Sequence, residues 1–103
     1  MNKPTIDLHS LNGFGKYIDQ HDVWHALDKF IVQTKLNKAR QIKSGLHVQI
    51  AIIVGKGLQS KNLIEGKNPL RYFAESYLNT CNYKWKTADF LGGGDGTIFA
   101  EII

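Results

Sequence analysis

The sequence predicts an α/β fold: a two-layer sandwich of order β-α-β-α-β-β, with two helices against one mixed four-stranded sheet. Three observations carry this. Segments rich in Ile, Val and aromatic residues read as strands at Thr5 to Leu8, Val48 to Val54, Tyr83 to Phe90 and Thr97 to Ile103. Between the first three of these lie two stretches whose apolar residues recur at helical spacing. The last two strands are joined by Leu91 to Gly96, and Gly92-Gly93-Gly94-Asp95-Gly96 supplies the positive φ values of a hairpin turn.

Each element has its own reason. In the first strand Ile6 and Leu8 share one face, Asp7 and His9 the other. The polar stretch from Ser10 to His21 is long for a strand-to-helix connection, where about two to six residues are usual. Asp22 reads as an N-cap, and Val23, Leu27, Phe30 and Ile31 then form one helical face. Lys35, Lys38, Arg40 and Lys43 load the end of this helix and its exit loop. They either complement the helix dipole as solvated cations or track phosphates.

Val48, Ile50, Ile52 and Val54 alternate β-branched residues within an apolar run, the pattern of a strand buried on both faces. Gly55-Lys56-Gly57 ends it and opens a polar loop that carries Lys56, Lys61 and Lys67 against Glu65 alone. Asn68-Pro69 reads as an N-cap followed by a proline in the first helical position. Leu70, Phe73, Ala74, Tyr77 and Leu78 make the second helical stripe.

Composition narrows the function classes. At 103 residues the chain is expected to be a single domain, 1–103. An apolar content of 43% argues against disorder over most of its length. The longest apolar run, Ile50 to Val54, is far below the ~18 residues of a membrane span, and no secretory leader is expected from the N-terminal residues. Cys81 is the only cysteine, so an intrachain disulfide is impossible and a cytoplasmic, reducing setting is expected. Thirteen Lys and Arg against nine Asp and Glu give a net charge of +4, which suits nucleic acid and also simple solubility.

The chemistry-bearing residues gather if the first two strands are parallel, as a helical crossover favours. Their carboxyl ends then lie on one edge, where ligands collect in open α/β sheets. Asp7-Leu8-His9 closes the first strand and Gly55-Lys56-Gly57 the second. A carboxylate, an imidazole, an ammonium and a glycine loop with free N–H groups would form an anion site there. Taken singly, each part has an ordinary reading: Gly-x-Gly as a turn, Asp7 and His9 as a strand-end pair. Nucleotide-loop motifs fail, because Ser60 stands where a third dinucleotide-binding glycine would be and Asn68 follows Gly66-Lys67 in place of Ser or Thr. His21 and His25 have metalloprotease spacing, but with Asp22 as the cap His21 falls outside the helix and no metal site is expected. His47 reads as a surface residue, Trp24, Trp85 and the tyrosines as core or interface residues, and Cys81 as an inert, half-buried thiol.

Three separated segments together resemble the Smr (small MutS-related) domain. They are Ile6-Asp7-Leu8-His9-Ser10-Leu11, the run Ile52 to Leu58 with Ser60 and Pro69-Leu70 after it, and Gly93-Gly94-Asp95-Gly96-Thr97-Ile98. Asp22 to Leu27 is similar to the start of the family's first helix. The resemblance spans Thr5 to Ile103. It implies a fold like the C-terminal domain of bacterial translation initiation factor three, nucleic-acid binding, and in many members endonuclease activity on DNA or RNA. Some members act on messenger RNA at stalled ribosomes. The family's proposed active site maps onto Asp7, His9, Gly55, Lys56 and Gly57. Ser10 in place of Gly, Val54 in place of His or Thr, and the long Ser10–His21 connection depart from the pattern.

These readings converge on a small endonuclease domain with DNA or RNA as partner, acting as a monomer or weak dimer. Gly55, Lys56 and Gly57 would hold the scissile phosphate, with Lys61 and Lys67 binding flanking phosphates. His9 would act as general acid or base, and Asp7 would orient it. RNA cleavage needs no cofactor; with DNA, water attacks and Mg²⁺ becomes plausible. The alternatives are a non-catalytic nucleic-acid or ribosome-binding module, and a protein-interaction domain.

Overall fold

The computed structural model describes residues 3–8, 19–55, 69–87 and 96–102. They form β1 (Thr5–Asp7), α1 (Gln20–Asn37), α2 (Ala39–Lys43), β2 (Gln49–Ile53), α3 (Pro69–Thr80), β3 (Lys84–Thr87) and β4 (Thr97–Glu101). The four strands make one mixed sheet of order β1-β2-β4-β3. β1 pairs with β2 in parallel, and β4 pairs antiparallel with both β2 and β3. The predicted α/β sandwich is therefore present. It carries a short third helix, α2, where an exit loop was expected.

Both helical crossovers, β1 to β2 and β2 to β3, step across the sheet in the same direction. Right-handed connections then place α1 and α3 on the same face. The two helices touch: the Trp24 indole N–H donates to the Phe73 carbonyl at 3.1 Å, and the Trp24 and Tyr77 rings meet edge to face at 5.6 Å. Beneath them Leu27, Ile50, Ile52, Leu78 and Ile98 are completely buried. At roughly 25 cal/mol per Å² of apolar surface, each of these side chains contributes about 1.5–3 kcal/mol.

With α1 and α3 on one face, no helix among the described residues covers the other face of the sheet. This corrects the expectation that β2 is buried on both faces. Ile50 and Ile52 point into the core, while Gln49 and Ile53 on the opposite side are half-buried. Ala51 is buried there because it is small and lies in register between Thr5 and Phe99.

The cap of α1 lies three residues before the expected one. Asp19 is the N-cap: its carboxylate accepts the Asp22 backbone N–H at 3.0 Å, and the Asp22 carboxylate accepts the Asp19 N–H at 3.4 Å. The pair is a capping box with Asp as its second acid, so Asp22 lies in the first turn rather than before it. At the other end of α1 the Thr34 hydroxyl, buried, donates to the Phe30 carbonyl at 2.8 Å.

One device closes both later helices. After α2, Gly45 sits at φ +79°, its N–H donates to the Ile42 carbonyl, and the Leu46 N–H reaches back to Gln41. After α3, Asn82 sits at φ +60°, with Asn82 N–H to Asn79 and Tyr83 N–H to Leu78. Both are Schellman caps, and Gly and Asn are the residues that tolerate the left-handed position. Pro69 opens α3 as expected; Asn68 and, of the predicted turn Leu91 to Gly96, all but Gly96 lie outside the described residues. No helix among the described residues is long and apolar enough to cross a membrane.

Candidate nucleic-acid interface

Three stretches far apart in the chain meet at one edge of the sheet. Asp7, the last residue of β1, pairs with Ile53 at the end of β2, and Ile53 pairs with Thr97 at the start of β4. The Gly96 carbonyl, just before β4, accepts the N–H groups of Val54 at 2.8 Å and Gly55 at 3.2 Å. The parallel pairing of β1 and β2 thus brings the Asp7 end and the Gly55 end side by side, as the crossover argument required. Asp7 is exposed, whereas Leu8 and Val54 beside it are buried and anchor the two strand ends.

The geometry corrects one part of the expected anion site. The Gly55 N–H already donates to Gly96, so it does not point at a ligand. Gly55 instead has φ +75°, the left-handed region that favours glycine. Donors for a phosphate would have to come from the residues that follow. Of the other predicted site residues, His9, Lys56, Gly57, Lys61 and Lys67 lie outside the described residues.

The histidine pair on α1 also departs from expectation. His21 lies inside the helix because the cap is Asp19, and its ring stacks on His25 with centroids 6.2 Å apart. The two imidazoles therefore share an exposed face. No group of three His, Cys, Asp or Glu able to hold a metal occurs among the described residues. Cys81, expected to be half-buried, is exposed just beyond α3.

Sequence reasoning located the useful cations in loops and passed over Lys84 and Lys86. These alternate residues of β3 are both exposed, and alternation in a strand is the signal that marks a common face. Compared with known families, curated proteins and solved structures, the chain matches none.

Proposed function

We propose that the chain is a nucleic-acid-binding domain of Smr type that cleaves phosphodiester bonds at the edge where β1 and β2 end. The observation that carries this reading is the meeting of Asp7, Gly55 and Gly96 on that edge, since each belongs to one of the three segments that resemble the family. Chance similarity in three short segments carries no requirement that they converge.

In this reading the Lys56 ammonium and the backbone N–H groups beyond Gly55 hold the phosphate and stabilise the charge that develops on it. His9 is the acid–base group, imidazole being the side chain suited to proton transfer near neutral pH, and Asp7 orients it. With RNA, His9 takes the proton of the 2′-hydroxyl, that oxygen bonds to phosphorus, and the bond to the 5′-oxygen breaks. The proton that His9 takes passes on to the leaving 5′-oxygen through solvent, and a 2′,3′-cyclic phosphate remains. The exposed thiol of Cys81 suits a reducing, cytoplasmic setting.

The occupied Gly55 amide favours a second reading, a binding module without cleavage, because one expected phosphate donor is lost. A substrate panel separates the two. Labelled single-stranded RNA, duplex DNA and supercoiled plasmid are incubated with the protein, each with Mg²⁺ and with EDTA. Cleavage of RNA that persists in EDTA is the expected result. Salt-sensitive binding of every substrate with cleavage of none would establish the binding module instead.

A further inference from the structure

The sheet face turned away from the helices carries a second basic surface, distinct from the strand-end edge. Register sets its rows. Lys84, Glu101 and Gln49 form one row; Lys86, Phe99, Ala51 and Thr5 form the next; Thr97, Ile53 and Asp7 form the third. Over the first two rows runs a shallow groove of about 160 Å³, lined by Gln49, Lys84, Lys86, Phe99 and Glu101 among others. Gln49 also lines a larger groove of about 310 Å³ that continues round the start of β2 and is bordered by Lys3, Lys38 and His47. Among the described residues the two grooves, which share Gln49, carry Lys3, Lys38, Lys84 and Lys86 with one carboxylate, Glu101, which accepts from Gln49 at 3.5 Å.

Phe99 gives this surface its second property. It is half-buried in the middle of the face, and the Lys3 ammonium lies 4.5 Å from its ring centroid. An aromatic ring set among lysines on an open sheet is a stacking platform inside an electrostatic groove. Stacking of a base is worth more than an exposed cation–π contact. An incoming strand would therefore displace Lys3 from the ring and supply a phosphate to receive it.

We infer that this open face binds single-stranded nucleic acid, with a base stacked on Phe99 and the backbone held by Lys3, Lys38, Lys84 and Lys86. A duplex hides the faces of its bases and leaves Phe99 nothing to stack on. Lys84 and Lys86 are two residues apart on one strand, about 7 Å, and so meet successive positions along an extended backbone. Asp7 lies one row beyond Phe99 on the same face, so a strand laid across the ring leads to the edge where β1 and β2 end. The surface needs no catalysis at that edge to bind.

The test is fluorescence anisotropy with a labelled twelve-nucleotide oligouridylate, titrated at several salt concentrations. Wild type is compared with Lys84→Gln/Lys86→Gln, Lys38→Gln, Phe99→Leu and the control Lys29→Gln, with folding of each checked by thermal melting. Four phosphate contacts predict a log–log salt slope of about −3, shallower by about 0.7 for each lysine removed. Phe99→Leu is expected to weaken binding roughly five-fold or more with the slope unchanged. Lys29→Gln, an exposed lysine of α1 that lines neither groove, binds as wild type. The inference is overturned if the face variants bind like wild type, if no oligonucleotide binds, or if polyglutamate displaces the oligonucleotide as readily as unlabelled RNA does. That last outcome would mark a surface for acidic polypeptide. Face variants that lose binding in a protein that cleaves nothing would refute the nuclease reading alone.

Discussion

Tyr77 shows how one residue ties stability to pH. It is buried between α1 and α3 and donates a hydrogen bond to the Asp28 carboxylate. Burial first, and then that hydrogen bond, push its phenol far above the ordinary tyrosine range. The folded state therefore keeps the proton where the unfolded chain loses it, from about pH 10 upward. The contribution is complete below that pH and declines as pH rises beyond it. Tyr77→Phe is expected to cost about 1.5 kcal/mol at neutral pH, the low end for a bond to a charged acceptor because Asp28 is exposed and regains water. The loss should shrink above pH 10, and urea unfolding at pH 7 and pH 11 reads both values. None of this was legible in sequence. Tyr77 was readable as a core residue from its helical stripe, but Asp28 sits on another helix and nothing local pairs the two.

At the scale of the element, caps decided where the reading held and where it slipped. The helical stripes of α1 and α3 were legible because their apolar spacing is local information. The start of α1 was misplaced because Asp19 and Asp22 are both good caps and the structure uses both, one on each side of the box. Asp19→Ala should cost about 1 kcal/mol in denaturant unfolding, the usual worth of such a cap. The break into α2 was hidden by the spaced cations Lys35, Lys38, Arg40 and Lys43, which suited either a helix end or a loop. Gly45 provides a cleaner measurement. A Cβ added there meets nothing within 4 Å, so Gly45→Ala is opposed by the left-handed backbone alone and should cost about 1 kcal/mol. An equal melting temperature for the variant would show that the Schellman cap of α2 contributes nothing.

On the scale of the whole molecule, chain order was enough to place β1 parallel to β2 and the last two strands antiparallel. Crossover handedness and a glycine turn dictate both. Register was not available, and register is what puts Phe99 beside Lys86 and gives the Gly55 amide to Gly96. The candidate site was therefore readable as a list of residues on one edge, but not as a set of free donors. The sheet's open face was missed for a related reason: an all-apolar run such as Ile50 to Val54 looks the same whether one side or both are covered. His9 remains the residue on which the catalytic reading turns. The most direct test measures binding and cleavage of one labelled single-stranded RNA by wild type and His9→Ala under the same conditions. The account predicts that the variant binds within about two-fold of wild type and loses cleavage by at least about 100-fold, the scale of a general acid–base group. Equal cleavage by the two proteins would contradict it.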